Sequence, residues 1–259
     1  MGRLIRVELL KLRTAQVSFG LLVTSSTLTA LFTSLEASRA GKAAGAVAPL
    51  NTATGLSTIT TTTGWSMMFA AVLGLIVANG EFRHGTATLT YLAEPNRSRV
   101  LAAKVAASAL FGSLFGLASA VIATGVGLVF VRAHGYPVTL STHVMIGHAA
   151  GAMLGAALLG AMGVGLGSLI RSQLAGVIGV FVWGLVVESV IGGLFTSVRP
   201  YLPYTAATTL AGIKLGRAAF GDASGGSALP FVAAAALIAS LVVVLSAVAN
   251  YGTVRRDIT

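Results

Sequence analysis

The stretch Val105-Ala-Ala-Ser-Ala-Leu-Phe-Gly-Ser-Leu-Phe-Gly-Leu-Ala-Ser-Ala-Val-Ile-Ala-Thr-Gly-Val-Gly-Leu-Val-Phe-Val131 contains no Lys, Arg, Asp or Glu. A bilayer core about 30 Å thick needs roughly 20 helical residues at about 1.5 Å each, so this run is long enough to cross. A buried helix of a soluble protein is usually shorter and keeps a polar stripe for water. This one has none. Outward from it, residues 14–35, 43–80, 133–170 and 223–254 are equally free of charge, and 172–198 holds Glu188 alone. A Lys, Arg or Asp at mid-span costs about 2.5–3.5 kcal/mol on insertion scales, which is why the gaps in charge mark the spans. The pattern predicts an all-α polytopic membrane protein with six transmembrane helices near 17–35, 59–79, 105–131, 144–169, 174–195 and 229–249. These form a single transmembrane domain over 1–259.

Composition agrees. Of 259 residues, 55% are hydrophobic and 9% charged, against roughly 25% charged in soluble domains. Too few ionised side chains remain to coat a water-exposed surface. The absence of cysteine excludes disulfide frameworks, thiolate zinc sites and cysteine nucleophiles. The first charged stretch is long and no small-residue cleavage site follows it, so the first span is expected to be retained rather than removed as a signal peptide.

Lys and Arg number 17 against 7 acidic residues, a net charge of +10. Six crossings place both ends on one side. That side carries Arg3, Arg6, Lys11, Arg13, Arg83, Arg97, Arg99, Lys104, Arg171, Arg255 and Arg256, which makes it the cytoplasm. Because the cations are divided among juxtamembrane segments instead of gathered on one face with aromatics, nucleic acid is not an expected partner.

Small residues repeat inside the spans. Gly147, Gly151 and Gly155, then Gly163 and Gly167, and Gly112 with Gly116 form small-xxx-small seams, where backbones approach closely in the absence of a hydrophobic drive between helices. Two readings stand: packing within the chain, or an interface between subunits.

Two charged segments lie on the expected cytoplasmic side. Residues 1–16 read as an interfacial helix in contact with the lipid bilayer. Met1, Ile5, Leu9 and Leu12 form its apolar stripe, and Glu8, Lys11 and Arg13 are its polar markers. Residues 80–104 are the densest charged segment and look like a docking element. Glu81 suits a helix start and Pro95 turns Glu94 away from helical angles, which predicts a short helix over 81–93.

Glu81-Phe-Arg-His-Gly-Thr86 followed by Pro95-Asn-Arg-Ser-Arg-Val-Leu-Ala-Ala-Lys104 resembles the segment after the second span in ATP-binding-cassette (ABC) type-2 transporter permeases, particularly the short bacterial ones. In the same order along the chain, Glu8-Leu-Leu-Lys-Leu-Arg13 is similar to that family's N-terminal interfacial helix. Gly165-Leu-Gly-Ser-Leu-Ile-Arg171 resembles its fourth-span end, and Trp183-Gly-Leu-Val-Val-Glu188 with Tyr201-Leu-Pro-Tyr204 its fifth-span region. The resemblance implies a permease subunit in a bacterial cytoplasmic membrane. It would pair with a second permease subunit as a homodimer, dock two copies of a separate ATPase, and act as an exporter. Glu81, Phe82, Arg83, His84, Gly85, Thr86 and Glu94 would form the ATPase-coupling segment. The second and fifth spans would line the pathway, nominating Thr61, Trp65, Met68, Phe69, Phe181, Trp183 and Glu188. Residues 199–204 would form a re-entrant turn, with Tyr201 and Tyr204 at an outer gate.

No GxxxxGK[ST] phosphate loop occurs, so no cofactor is expected on this chain, and ATP with Mg belongs to the partner ATPase. No catalytic constellation and no metal site is legible. His143 and His148 are five apart, a spacing that does not share a helical face. Glu188 lies about 22 Å into its span, toward the outer end. It can serve substrate or protons, or act structurally by pairing locally, for example with Arg199. The competing functions are an ion-coupled carrier or channel and a non-transporting membrane scaffold. A carrier would be expected to show inverted repeats, broken mid-membrane helices or several buried ionisable residues, and none is clear in the sequence.

Overall fold

A computed structural model describes residues 1–42, 47–83, 92, 94–170, 172–213 and 228–252, with 81–83 and 252 as backbone. Among these residues every regular element is helical. Six helices are long and apolar enough to cross a membrane: Gln16–Arg39, Ala53–Gly80, Arg97–Ala133, Thr142–Leu169, Gln173–Leu194 and Phe231–Tyr251. Each overlaps one of the expected spans.

Helix α1 (Gly2–Thr14) precedes α2 (Gln16–Arg39), and a single extended residue, Ala15, separates them. The second span is two helices, α3 (Ala53–Thr60) and α4 (Gly64–Arg83). Next come α5 (Arg97–Ala133) and α6 (Thr142–Leu169). The fifth span is α7 (Gln173–Val182), a π-helical turn over Trp183–Val187, and α8 (Glu188–Leu194). A 3₁₀ turn at Arg199–Tyr201 leads into the short α9 (Pro203–Leu210), and α10 (Phe231–Gly252) is the sixth span.

The second and fourth spans form the centre. Their most apolar windows are 72% and 61% buried, against 22%, 17% and 17% for the first, fifth and sixth. Small residues explain how they pack so closely. Gly74 on α4 lies against the Gly160 carbonyl of α6, Gly163 against Ala71 and Gly167 against Leu75. A Cβ at Gly112 of α5 would stand 2.6 Å from the Ala156 carbonyl oxygen, and Gly116 meets Ala152 one turn away. These seams are therefore filled within the chain. The upper part of the Gly147, Gly151, Gly155 series differs: Gly151 and Gly155 receive the Leu210 and Ala207 carbonyls of α9, and Gly147 faces open space.

Helix α5 has 37 residues, about 55 Å at 1.5 Å per residue, far more than a bilayer core. Asn96 caps its start, Oδ1 accepting from the Arg99 amide at 3.2 Å. Its first turns pack against α1. Glu8, expected at the flank of the apolar stripe, instead lies on the buried face of α1 at 5% exposure. There its carboxylate accepts from Lys104 Nζ of α5 at 3.0 Å and from Lys11 Nζ at 2.8 Å. Met1, expected within that stripe, is exposed. An acid on an apolar face is tolerated because a partly desolvated cation meets it.

Candidate functional site

Among the described residues, two polar nodes lie in segments where helical geometry departs from the α-form. The first surrounds Glu188. In a regular α-helix, residues five apart differ by about 140° around the axis, so Trp183 and Glu188 would face different ways. The π-helical turn Trp183–Val187 closes this gap. The Glu188 amide donates to the Trp183 carbonyl, and the Trp183 indole Nε1 donates to Glu188 Oε1 at 2.9 Å. The π-helix is rare and occurs mostly as single turns inside α-helices, which are frequent at functional sites.

The same carboxylate reaches the start of α9. Oε1 accepts from the Tyr204 amide at 2.8 Å, and Oε2 accepts from the Thr205 amide at 2.8 Å and the Thr205 hydroxyl at 2.9 Å. Leu202, at the N-cap position, offers no side-chain acceptor. Glu188 therefore does from another helix what an N-cap side chain does locally. It satisfies two of the amides that a helix start leaves without partners, and it places negative charge at the positive end of the helix dipole. Pro203 at the first helical position supplies the φ angle and lacks an N–H of its own. Arg199 is not an ion-pair partner of Glu188 among the described residues; its stem packs on Gly192 instead.

Around this node the pathway candidates of the second and fifth spans meet. A Cβ at Gly184 would touch Met68 Cε at 2.9 Å and approach Tyr204 Cγ at 3.6 Å, and one at Gly64 would touch the Tyr204 hydroxyl at 2.6 Å. Phe69 meets Phe181 edge-on with ring centroids 5.4 Å apart, and Trp65 stacks on Phe32 of the first span at 4.9 Å. Met68 and Phe69 are buried, whereas Trp183 is 45% exposed with only its N–H turned inward. The two tyrosines part company: Tyr201 is 58% exposed, and Tyr204 enters the bundle between α4 and the fifth span.

The second node is the break between α3 and α4. Thr60, Thr61, Thr62 and Thr63 stand in succession, and their hydroxyls donate back to carbonyls of the preceding turn: Thr60 to Ser57 at 3.0 Å, Thr61 to Thr58 at 2.9 Å, Thr63 to Thr61 at 3.4 Å. Such bonds compete with the helical ladder, and β-branching adds crowding. Other spans contribute the remaining partners. Thr62 Oγ1 donates to Glu36 Oε2 of α2 at 2.9 Å, and Thr60 Oγ1 is hydrogen-bonded to His148 Nδ1 of α6 at 3.0 Å. Gly212, whose φ of +78° favours glycine, brings the chain after α9 against His148 and Thr61. Thr61, a pathway candidate, is buried at this break, whereas Glu36 and His148 were not singled out for the pathway and were found only through their partners.

The coupling residues are divided. The backbone of Glu81, Phe82 and Arg83 forms the end of α4. His84, Gly85 and Thr86 lie outside the described residues, as does most of the short helix expected over 81–93. Glu94 is described: its Oε1 accepts a long bond from the Asn96 amide at 3.4 Å, and Glu94, Pro95 and Asn96 are non-helical, as Pro95 requires.

No protein-family model matches the chain, and none of the curated proteins matches it.

Proposed function

We propose that this chain is the membrane-spanning permease subunit of an ABC transporter, driven by a separate ATPase and working as an exporter. The observation that carries the reading is the motif pair at 81–86 and 95–104, which brackets the connection between two helices long enough to span, its first residues ending α4 and residues 97–104 beginning α5. Helix α1 lies against the first turns of α5, immediately after that connection, through Glu8 and Lys104. In this reading α1, the coupling segment and both termini face the cytoplasm of a bacterium. Two permease subunits and two ATPase copies make the working unit. The ATPase holds ATP and Mg, and force reaches the bundle through 81–94. The Glu188 node then acts as an anchor for α9 at the outer end of the pathway. All four donors that reach Glu188 are committed to fixing α9 and Trp183.

The test is reconstitution of the chain with the ATPase encoded beside it. ATP hydrolysis by the complex is expected to rise on assembly. Glu81→Ala with Arg83→Ala is expected to abolish that rise while the six helices remain folded. Hydrolysis unaffected by both changes, or an impermeant reagent reaching a cysteine placed at position 86 from the outside of the cell, would overturn the reading.

One observation favours a second reading, an ion-coupled carrier. The second span is broken at 61–63, with the Glu36 carboxylate and the His148 imidazole bound to that break. Carriers bind substrate and coupling ions at spans discontinuous near the bilayer midplane; here the break stands at the start of the 20-residue α4. Transport into proteoliposomes driven by a proton or sodium gradient, with no ATPase present, would select it.

A further inference from the structure

Helix α9 is held at its start by a carboxylate, and a basic side chain stands at its other end. Of the carbonyls that the last turn leaves without helical partners, those of Thr208 and Thr209 accept from the Ile213 amide at 3.2 Å and the Gly212 amide at 3.0 Å. The Leu210 carbonyl is pressed instead against Gly151 of α6. His148 precedes Gly151 by three positions on that helix, a spacing that shares a face. A Cβ at Gly212 would stand 3.0 Å from the His148 Nε2. The negative end of the α9 dipole therefore abuts the imidazole.

The hydrogen bonds fix which ring nitrogen carries the proton. Thr60 Oγ1 has one hydrogen, which goes to the Ser57 carbonyl at 3.0 Å, so toward His148 it accepts. Nδ1 is then the donor in the 3.0 Å contact, and in the neutral ring Nε2 keeps its lone pair. A second proton enters at Nε2, the nitrogen beside Gly212, without breaking the bond to Thr60. His148 is half-buried, which leaves that proton a route from solvent at this end of α6.

We propose that His148 is a proton-operated clamp. When the ring takes its second proton, the imidazolium is drawn to the carbonyl end of α9, and acid in the medium bathing that end locks α9 to α6 and to the break in the second span, while Glu188 holds the opposite end. Among the described residues, the other ionisable groups at this end of the bundle are few. Glu36 of α2 reaches the same break through Thr62, and its carboxylate favours a charged ring. Arg132 and His134 at the end of α5 and His143 on α6 oppose it when charged, and all three are exposed. On α9 the one titratable side chain is Tyr204, at the Glu188 end; the starts of α4 and α10 carry none. That the sensed medium is the cell exterior rests on the orientation given under the proposed function; the clamp itself does not.

The full-length chain in nanodiscs, without any ATPase, is followed by hydrogen exchange over 208–213 from about pH 8 to about pH 5, each rate divided by the intrinsic rate at that pH. Protection is expected to rise about three- to tenfold on acidification, the scale of a histidinium at a helix C-terminus, with little change over the sixth span. His148→Asn, whose amide can still donate to Thr60 but takes no proton, should remove the rise. His84→Gln, His134→Gln and His143→Gln combined leave His148 as the one histidine and should keep it. Nitrogen-15 shifts of that ring, which need no change at position 148, should place its single proton on Nδ1 at high pH. Protection that is flat or falls on acidification would overturn the proposal. So would an equal rise in a folded His148→Asn variant, or a neutral ring with its proton on Nε2.

Discussion

Replacing Glu188 by alanine tests whether α9 is held from the fifth span. The change leaves three buried-side donors without their acceptor: the Trp183 indole N–H and the amides of Tyr204 and Thr205. The Thr205 hydroxyl can rotate to another partner. Loss of an N-cap acceptor costs about 0.5–2 kcal/mol, and each orphaned donor about 1–3 kcal/mol where water cannot replace the bond. These figures overlap because they describe the same bonds, so the expected loss is about 2–4 kcal/mol, concentrated in α9. About 2 kcal/mol corresponds to roughly a 30-fold faster amide exchange over 204–210 through local opening. Glu188→Gln keeps one carbonyl oxygen for Trp183 and Tyr204 and turns an NH₂ toward Thr205, so it should fall between wild type and alanine. The assay is hydrogen exchange by mass spectrometry in nanodiscs. A parallel reading is Trp183 emission in a Trp65→Phe background, which leaves one tryptophan. Exchange in the alanine variant within about twofold of wild type would refute the cap. So would acceleration spread evenly over all six spans.

The Glu8–Lys104 pair gives a second expectation. Glu8→Gln removes the carboxylate that both Lys104 and Lys11 meet and should destabilise by up to about 3–5 kcal/mol, whereas Lys104→Met leaves Glu8 with Lys11 and should cost less, both seen as a lower melting temperature in detergent. The double change should recover part of that loss, giving a non-zero coupling energy in a double-mutant cycle. Gly74→Val and Gly163→Leu drive a side chain into the facing backbone at Gly160 and Ala71, and each should abolish monodisperse protein on size exclusion. Gly147→Leu, at an open position, should be tolerated. At the break, Thr62→Val should remove the Thr62–Glu36 bond while sparing the Thr60–His148 bond. Proteolysis or exchange over 53–63 is expected to rise severalfold, with the sixth span unaffected.

The six spans were legible because insertion cost acts on each charged residue separately, and the sequence places almost all of them outside the runs. Glycine spacing likewise pointed to close backbone contact, and at Gly112, Gly116, Gly163 and Gly167 that contact is within the chain. The break at 61–63 was not legible as a break: threonine is nearly neutral in hydropathy, so a window average passes over it, and its competition with the backbone depends on which carbonyls its hydroxyls can reach. Glu8 was placed wrongly because a helical wheel sends charge outward, and its partner Lys104 lies 96 positions away. The partners of Glu188 lie 16 and 17 residues further along, past the end of its own span, and no local pattern announces them. Arg199 was the reasonable sequence partner by charge. Backbone amides at a helix start compete for the same carboxylate and carry no signature in composition.

The helix that delivers the Glu188 carboxylate is mostly surface, with Ile178, Val182, Val186 and Val190 all exposed along it. Few neighbouring side chains fix its angle, and a hydrophobic stretch longer than the local hydrocarbon thickness accommodates by tilting. Any change of angle moves the one acceptor on which the start of α9 depends. Bilayer thickness thus becomes a mechanical input to a segment that does not itself cross the membrane. Amide exchange over 204–210 should vary with acyl-chain length in nanodiscs, and that dependence should vanish in Glu188→Ala.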